Sequence, residues 1–218
     1  MEAVIKSSDL TISIDIGGTK ISAGVVDSSG NIIDSSRIST PVEGGKELIL
    51  AVINLIKELK EKHEIKGIGI SIAALISSDY GTIVGAPNIA NLSKLNFVNE
   101  IKAEFKLPIV VENDANSAMW AEFKFGNAKG LNPVMFFIIG TGVGGGLVID
   151  GKLFKGANGI GAEFGHMCVV SNGLLCGCGS KGCIEQYASG GALIRYANEV
   201  ILNNPQSSET LLSFGEGK

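Results

Sequence analysis

Apolar and polar residues alternate from Leu10 to Ile16, with Leu10, Ile12, Ile14 and Ile16 on one side and Thr11, Ser13 and Asp15 on the other. A period of two sends successive side chains to opposite faces of a strand, so this stretch predicts a half-buried strand. A second apolar stretch, Ile21 to Val26, follows a short glycine turn, and Asn31 to Thr40 predicts a third strand beyond the turn Asp27-Ser28-Ser29-Gly30. The period then changes. Between Gly44 and His63, Leu48, Val52, Leu55, Ile56 and Leu59 recur at helical spacing and mark the apolar stripe of an amphipathic helix. Gly67 to Ile76 predicts a buried strand, 85–88 a loop, Phe97, Ile101 and Phe105 a second helix, and Ile109 to Glu112 a strand opened by Pro108. Three strands, helix, strand, helix, strand describes an α/β layer.

The second half continues with a helix from Ser117 to Phe125, a strand from Val134 to Ile139, a short strand from Leu147 to Ile149 and a helix from Ile184 to Ile201. Two glycine-rich turns interrupt the strands: Gly17-Gly18-Thr19-Lys20, and Gly140-Thr141-Gly142-Val143-Gly144-Gly145-Gly146. A glycine pair between two strands is at minimum a hairpin turn. Its N–H groups can also cradle a phosphate, with Thr19 and Lys20 adding donors and Asp15 facing a hydrated magnesium ion. The repetition suggests a duplicated architecture in which both halves grip one phosphate chain. Asn113 and Asp114, in the run Glu112-Asn113-Asp114-Ala115-Asn116, admit two readings. Either caps the following helix, and a carboxylate at a strand's carboxyl end is also where an α/β sheet mounts a catalytic base.

The densest chemistry lies from Gly161 to Glu185. Cys176, Cys178 and Cys183 fall within eight residues, with His166 ten positions before the first of them. Three thiolates and an imidazole, joined by glycines that let the chain double back, supply the ligand set of a closed structural zinc site. The alternative is a set of buried, unconnected thiols or a disulfide pair, and four cysteines in 218 residues fit a disulfide scaffold poorly. Cys168 is the spare: it can replace His166 as fourth ligand, or sit in the core between the apolar Met167 and Val169. Glu163 and Glu185 flank the cluster and, with the imidazole, make an acceptor wall for a polyhydroxylated ligand.

Composition narrows the classes. Of the 218 residues, 45% are hydrophobic and 18% charged, which excludes global disorder. A net charge of -4 provides no basic stripe for phosphates and argues against a nucleic-acid partner. No apolar run reaches membrane-spanning length without interruption, so no membrane partner is expected. Four cysteines in a core-rich chain with no secretory signal point to a reducing cytoplasm.

With these residues named, the chain resembles the ROK family of sugar kinases and sugar-sensing regulators, in the actin, Hsp70 and hexokinase superfamily. The resemblance is carried in order by DIGGTK (Asp15 to Lys20), ENDAN (Glu112 to Asn116), GTGVGGG (Gly140 to Gly146), and GAEFGH through CGCGSKGCIE. It implies an α/β, two-lobed, ribonuclease H-like fold, with one lobe over 1–116 and the start of the second, carrying the zinc loop, over 117–218. It also implies transfer of phosphate from ATP to the primary 6-hydroxyl of a hexose, foremost glucose. By similarity Asp114 is the general base, Asn113, Asp114, Glu163, His166 and Glu185 contact the sugar, and His166, Cys176, Cys178 and Cys183 hold structural zinc. Asp15, Gly17, Gly18, Thr19, Lys20, Thr141 and Gly142 are the corresponding magnesium and phosphate groups. A homodimer or homotetramer is expected. The alternatives are an N-acetylhexosamine kinase, such as one for N-acetylmannosamine, a sugar-sensing regulator, and a catalytically silent sugar-binding member. Regulators carry a helix-turn-helix domain before DIGGTK, for which some 14 residues are too few.

Two departures from the family pattern carry expectations of their own. Ser71-Ile72-Ala73-Ala74-Leu75 is more apolar than the family's turn near the sugar, so that contact is expected to differ. Relatives continue past the equivalent of Lys218 with a further helix, a strand and a glycine-rich adenosine segment, so the second lobe is expected to be incomplete.

Overall fold

The computed structural model describes residues 9–77, 82–93 and 95–204. The elements of the first half are Leu10–Ile16 (β1), Lys20–Val26 (β2), Ile32–Ser39 (β3), Gly45–Lys62 (α1), Ile65–Ile72 (β4), Leu75–Ile76 (β5), Ile83–Gly85 (β6), Phe97–Glu104 (α2) and Ile109–Asn113 (β7). Asp114–Phe125 (α3), Val134–Ile139 (β8), Val143–Ile149 (β9), Lys152–Leu153 (β10), Glu185–Ala188 (α4) and Gly190–Asn203 (α5) follow, with a 3₁₀ turn at Phe164–His166.

Two compact units result. One comprises Met1–Val134 with Leu147–Ala162, the other Met135–Gly146 with Glu163–Lys218. The division expected after Asn116 falls within α3, a continuous helix of the first unit.

In the first unit, five strands run in the order β3-β2-β1-β4-β7. β1 to β3 form an antiparallel meander, and β4 and β7 add in parallel to β1. The parallel register sets Ile12, Ile14 and Ile16 beside Ile68, Ile70 and Ile72. These six isoleucines are all buried, as are Leu48, Val52, Leu55, Ile56 and Leu59 of α1 and Phe97 and Ile101 of α2. The apolar period read in the sequence is therefore the core-facing face of each element. Phe97 is fully enclosed, so Phe97→Ala is expected to cost roughly 3–5 kcal/mol through lost burial and the cavity left behind. A chemical-denaturant midpoint measures it.

The strand predicted from Gly67 to Ile76 divides into β4 and β5, which lie in different sheets, and three further elements depart most from their predicted bounds. α3 begins at Asp114, because the Asn113 side chain accepts from the Asn116 N–H at 3.1 Å and closes the first turn. β9 begins at Val143, so Gly144, Gly145 and Gly146 lie in a strand and the glycine turn shrinks to 140–142, with Gly140 N–H donating to the Gly142 carbonyl at 3.0 Å. The helix predicted from Ile184 to Ile201 is broken at Ser189, which is extended (φ −94°, ψ 167°) and caps α5 by accepting from Ala192 N–H at 3.0 Å.

Candidate functional site

In the first unit, the functional side chains gather at the carboxyl ends of the parallel strands. Register places Asp15 of β1 beside Ser71 of β4, and Ser71 beside Glu112 of β7. Residues paired across strands share a face, so these three polar groups stand in a row on the side turned away from the isoleucines. The Ser71 hydroxyl donates to Asp15 Oδ1 at 3.1 Å. Asp114 follows directly after β7. Its Oδ1 accepts from Ala115 N–H at 2.9 Å and from the Asn113 amide at 3.0 Å, and that amide also donates to the Ala74 carbonyl at 3.2 Å.

Asp114 is open to solvent by surface area, yet the protein packed around it withdraws enough water to raise its pKa above the ordinary aspartate value. Burial is the largest cause, and the nearby charge of Asp15 adds to it. The Ala115 N–H and the Asn113 amide work in the opposite direction. A carboxylate whose proton affinity is raised, fixed at a helix start by two donors, is suited to taking a proton from a hydroxyl.

The Gly17–Lys20 turn is pinned from behind. Gly17 N–H donates to the Lys20 carbonyl at 3.0 Å, the Thr40 hydroxyl to the Gly17 carbonyl at 2.7 Å, and Thr40 N–H to the Thr19 carbonyl at 3.1 Å. A Cβ at Gly18 would stand 2.8 Å from the Asn88 carbonyl oxygen, so the turn is pressed against a neighbouring loop. Thr19 and Lys20 remain exposed, as a phosphate cradle requires.

The second unit is organised by the cysteine loop. A ring nitrogen of His166 and the three Sγ atoms of Cys176, Cys178 and Cys183 all lie within 4.8 Å of one another. Cys176 Sγ is 3.5 Å from His166 Nδ1, and Cys178 Sγ is 3.7 Å from Cys183 Sγ. A tetrahedral zinc with bonds of about 2.3 Å to sulfur and about 2.0 Å to nitrogen would set such edges near 3.5 and 3.8 Å. The donor set therefore fits zinc in both chemistry and spacing. Burial pushes the Cys183 thiol up to about 12, whereas the Ser180 N–H beside Cys178 brings that thiol down to about 7. Cys168 is outside this set and exposed, as are Met167 and Val169, so neither reading of Cys168, as a fourth ligand or as a core residue, holds.

Tight turns bring these ligands together. Cys176 N–H donates to the Ser180 carbonyl at 2.8 Å, and Gly179 N–H to the Cys176 carbonyl at 2.9 Å. Gly182 has φ +79°, and a Cβ there would come within 1.8 Å of the Val170 carbonyl oxygen. Glu185 connects the loop to the glycine turn. Its Oε2 accepts from Val143 N–H at 3.0 Å, and its Oε1 lies 3.9 Å from Cys176 Sγ. A Cβ on Gly142 would fall 2.3 Å from that Oε2, so Gly142 is bare because the carboxylate passes over it. Gly165, next to His166, is tighter still, since its Cβ would stand 1.9 Å from the Val143 carbonyl oxygen. Gly165→Ala is expected to push His166 out of the cluster and abolish stoichiometric metal binding, as read by elemental analysis of the purified variant.

A family model described as the ROK family matches residues 11–213. The chain belongs to the ROK family. It is 46% identical over 208 residues to a glucokinase of Streptomyces coelicolor, covering 95% of this chain and 65% of that protein. An N-acetylmannosamine kinase of Yersinia pseudotuberculosis is 37% identical over 182 residues, with 84% and 62% covered. Among solved structures, a ROK family glucokinase from Streptomyces griseus in complex with glucose and AMPPNP superposes with a TM-score of 0.81 at 43% identity, covering 96% of this chain and 66% of that one. A homologue of the E. coli MLC protein, a ROK transcriptional regulator, gives the same TM-score at 24% identity and shares the fold. The fold is thus the α/β, actin-like ATPase fold of ROK proteins, and the chain spans 65% of the length of the Streptomyces glucokinase.

The first unit of this ROK chain brings together Asp15, Asn113 and Asp114 with the turn Gly17–Lys20. The second brings together His166, the three cysteines, Glu185 and the turn at Thr141 and Gly142. The Glu163 carbonyl accepts from His166 N–H at 3.0 Å, which begins the 3₁₀ turn. From the sequence, Glu112 of the ENDAN motif has no assigned role. It is a hub: Oε1 accepts from Asn113 N–H and from the Asn116 amide, both at 3.1 Å, and Oε2 is paired with Lys155. Adjacency to Asn113 was a signal for Glu112. Lys155 carried none, because 42 residues separate it from Asn113 and only the fold returns it to this unit.

Proposed function

We propose that this protein transfers phosphate from ATP to the 6-hydroxyl of a hexose, with glucose as the substrate. The observation that carries the reading is Asp114: a carboxylate of raised proton affinity, held at the carboxyl end of a parallel strand beside a second acid and a glycine turn. The identity to glucokinases and the likeness to a structure bound to glucose and AMPPNP support it.

In this reading Asp114 accepts the proton of the primary hydroxyl as its oxygen attacks the terminal phosphorus of ATP. Phosphoryl transfer demands little covalent chemistry of the protein, so positioning and charge neutralisation supply the rest. Asn113, Glu163, His166 and Glu185 are the proposed hydroxyl contacts. Asp15, Gly17, Gly18, Thr19 and Lys20, with Thr141 and Gly142, are the proposed groups toward phosphate and magnesium. When bound, magnesium neutralises charge on the phosphates. Zinc on His166, Cys176, Cys178 and Cys183 is structural, and the imidazole nitrogen that does not face the metal is free to meet sugar. The setting is the cytoplasm, in a homodimer or homotetramer. Among the described residues, no helix is long and apolar enough to cross a membrane.

A second reading, phosphorylation of N-acetylmannosamine, is favoured by the 37% identical kinases of that name. Sugar-dependent ADP release across a panel of hexoses and N-acetylhexosamines decides between the two. Release with glucose supports the first reading, and release with N-acetylmannosamine alone replaces it with the second. Glucose binding without release would mark a silent sugar-binding protein.

A further inference from the structure

Cys168 is the one thiol of the four outside the metal set, and its neighbour across the chain is a member of that set. Cys168 and Cys183 form an isolated antiparallel bridge. The flanking hydrogen bonds are Val169 N–H to the Gly182 carbonyl (2.8 Å) and Ile184 N–H to the Met167 carbonyl (2.9 Å). Bonds on either side of the pair, and none within it, make this a non-hydrogen-bonded pair, whose Cα atoms stand about 4.5 Å apart with side chains close together on one face. That separation lies inside the roughly 4.4–6.8 Å a disulfide spans. The two thiols differ in access: Cys168 is exposed and Cys183 fully buried. Cys168 Sγ lies 3.6 Å from the Val170 carbonyl and Cys183 Sγ 3.7 Å from Cys178 Sγ, so a bridge between the two requires their side chains to turn toward each other.

We propose that Cys168 is a site of oxidative modification, with Cys183 as its resolving partner, so that peroxide closes a cross-strand disulfide and removes one ligand from the metal cluster. The consequence for the metal rests on the zinc reading above; the disulfide itself does not. A hydroperoxide reaches the exposed sulfur first, since sulfenic acids form at accessible cysteines next to a resolving thiol. The Cys168 sulfur attacks the peroxide, its S–O bond forms as the O–O bond breaks, and the other oxygen leaves as water or alcohol. The Cys183 sulfur then attacks the Cys168 sulfur. An S–S bond forms as the S–O bond breaks, and the departing hydroxide becomes water with the Cys183 proton or, if Cys183 is a thiolate, with one from solvent. Two thiols are oxidised and one peroxide is reduced. Cys183 then has no thiolate for a metal.

The test uses the purified chain, with zinc measured first by elemental analysis and then with hydrogen peroxide added. A chromogenic chelator follows released zinc, and fragmentation mass spectrometry of unreduced peptides locates the disulfide. The expected result is a Cys168–Cys183 link appearing in step with zinc release, reversed by a reductant, with both events suppressed several-fold in Cys168→Ser. A link between Cys178 and Cys183 instead, or equal zinc release from Cys168→Ser, overturns the proposal. Purified chain without zinc refutes the metal reading alone, and the peptide map still decides the pairing.

Discussion

Asp114→Asn is expected to lower sugar-dependent turnover by about 10²- to 10⁴-fold, the range a positioned general base contributes. Sugar affinity should change little, because the amide keeps an oxygen to accept from Ala115 N–H and stays close in size. The pH profile provides a second readout. Burial and the charge of Asp15 raise the Asp114 pKa, so the acid limb of kcat/KM should lie above the ordinary aspartate value and disappear in the variant's residual rate. Stability runs the other way. A carboxyl whose folded pKa is raised contributes favourably below its unfolded pKa, and that contribution is lost as pH rises through the folded value. Above its folded pKa the native Asp114 is therefore ionised at a cost, and there the Asn variant should melt no lower than the parent. Loss of turnover with an unchanged melting temperature places the defect in chemistry. Wild-type turnover in Asp114→Asn would remove Asp114 from the base role.

How much of this was legible beforehand depends on whether a feature is local. The isoleucine alternation of β1 and the stripe of α1 are periodic, and a period is the imprint of a buried face, so these elements and their cores were readable. The Asn113 cap was readable for the same reason, being a bond between residues three apart. The start of β9 was not: Gly144, Gly145 and Gly146 have no side chains to show a period, and their strand is defined by backbone pairing of β9 with its neighbour β8. The break at Ser189 hid inside an apolar run, because a serine cap and a helical serine look alike until the following amides point at something. Here Gly190 N–H donates to the Gly140 carbonyl at 2.8 Å, a contact fifty residues away in the chain. Site residues divide in the same way. The thiols clustered in sequence also converge in space, whereas Lys155 and the Ser71 hydroxyl reach their partners only through tertiary approach. The exposed Cys168 was misjudged because its apolar neighbours, Met167 and Val169, also face solvent.

Cys176→Ser is expected to abolish stoichiometric zinc and to loosen the whole segment from His166 to Glu185. Cys176 is buried and stands between two partners, His166 Nδ1 at 3.5 Å and Glu185 Oε1 at 3.9 Å. A serine hydroxyl is shorter and remains protonated, so it cannot replace a thiolate in a tetrahedral site. Structural zinc contributes roughly 10–16 kcal/mol to folding in small metal-dependent domains. Even a fraction of that rivals the roughly 5–15 kcal/mol by which whole domains are stable. Backbone hydrogen bonds such as Gly182 N–H to the Leu174 carbonyl at 2.8 Å also hold the loop, but Leu174 and Leu175, like His166 and Cys178, are exposed, so apolar burial adds little. Its folded form is therefore expected to follow the metal. Glu185 begins α4 and accepts from Val143 N–H, so loosening the cluster should also release the glycine turn. Zinc per chain by elemental analysis and proteolytic cleavage at Lys181 measure the two effects, with Cys168→Ser as the control that keeps its metal in the absence of oxidant. A Cys176→Ser chain that binds one zinc and resists cleavage would show that the four ligand atoms converge for another reason, and the cluster would then be a packed set of thiols around a histidine.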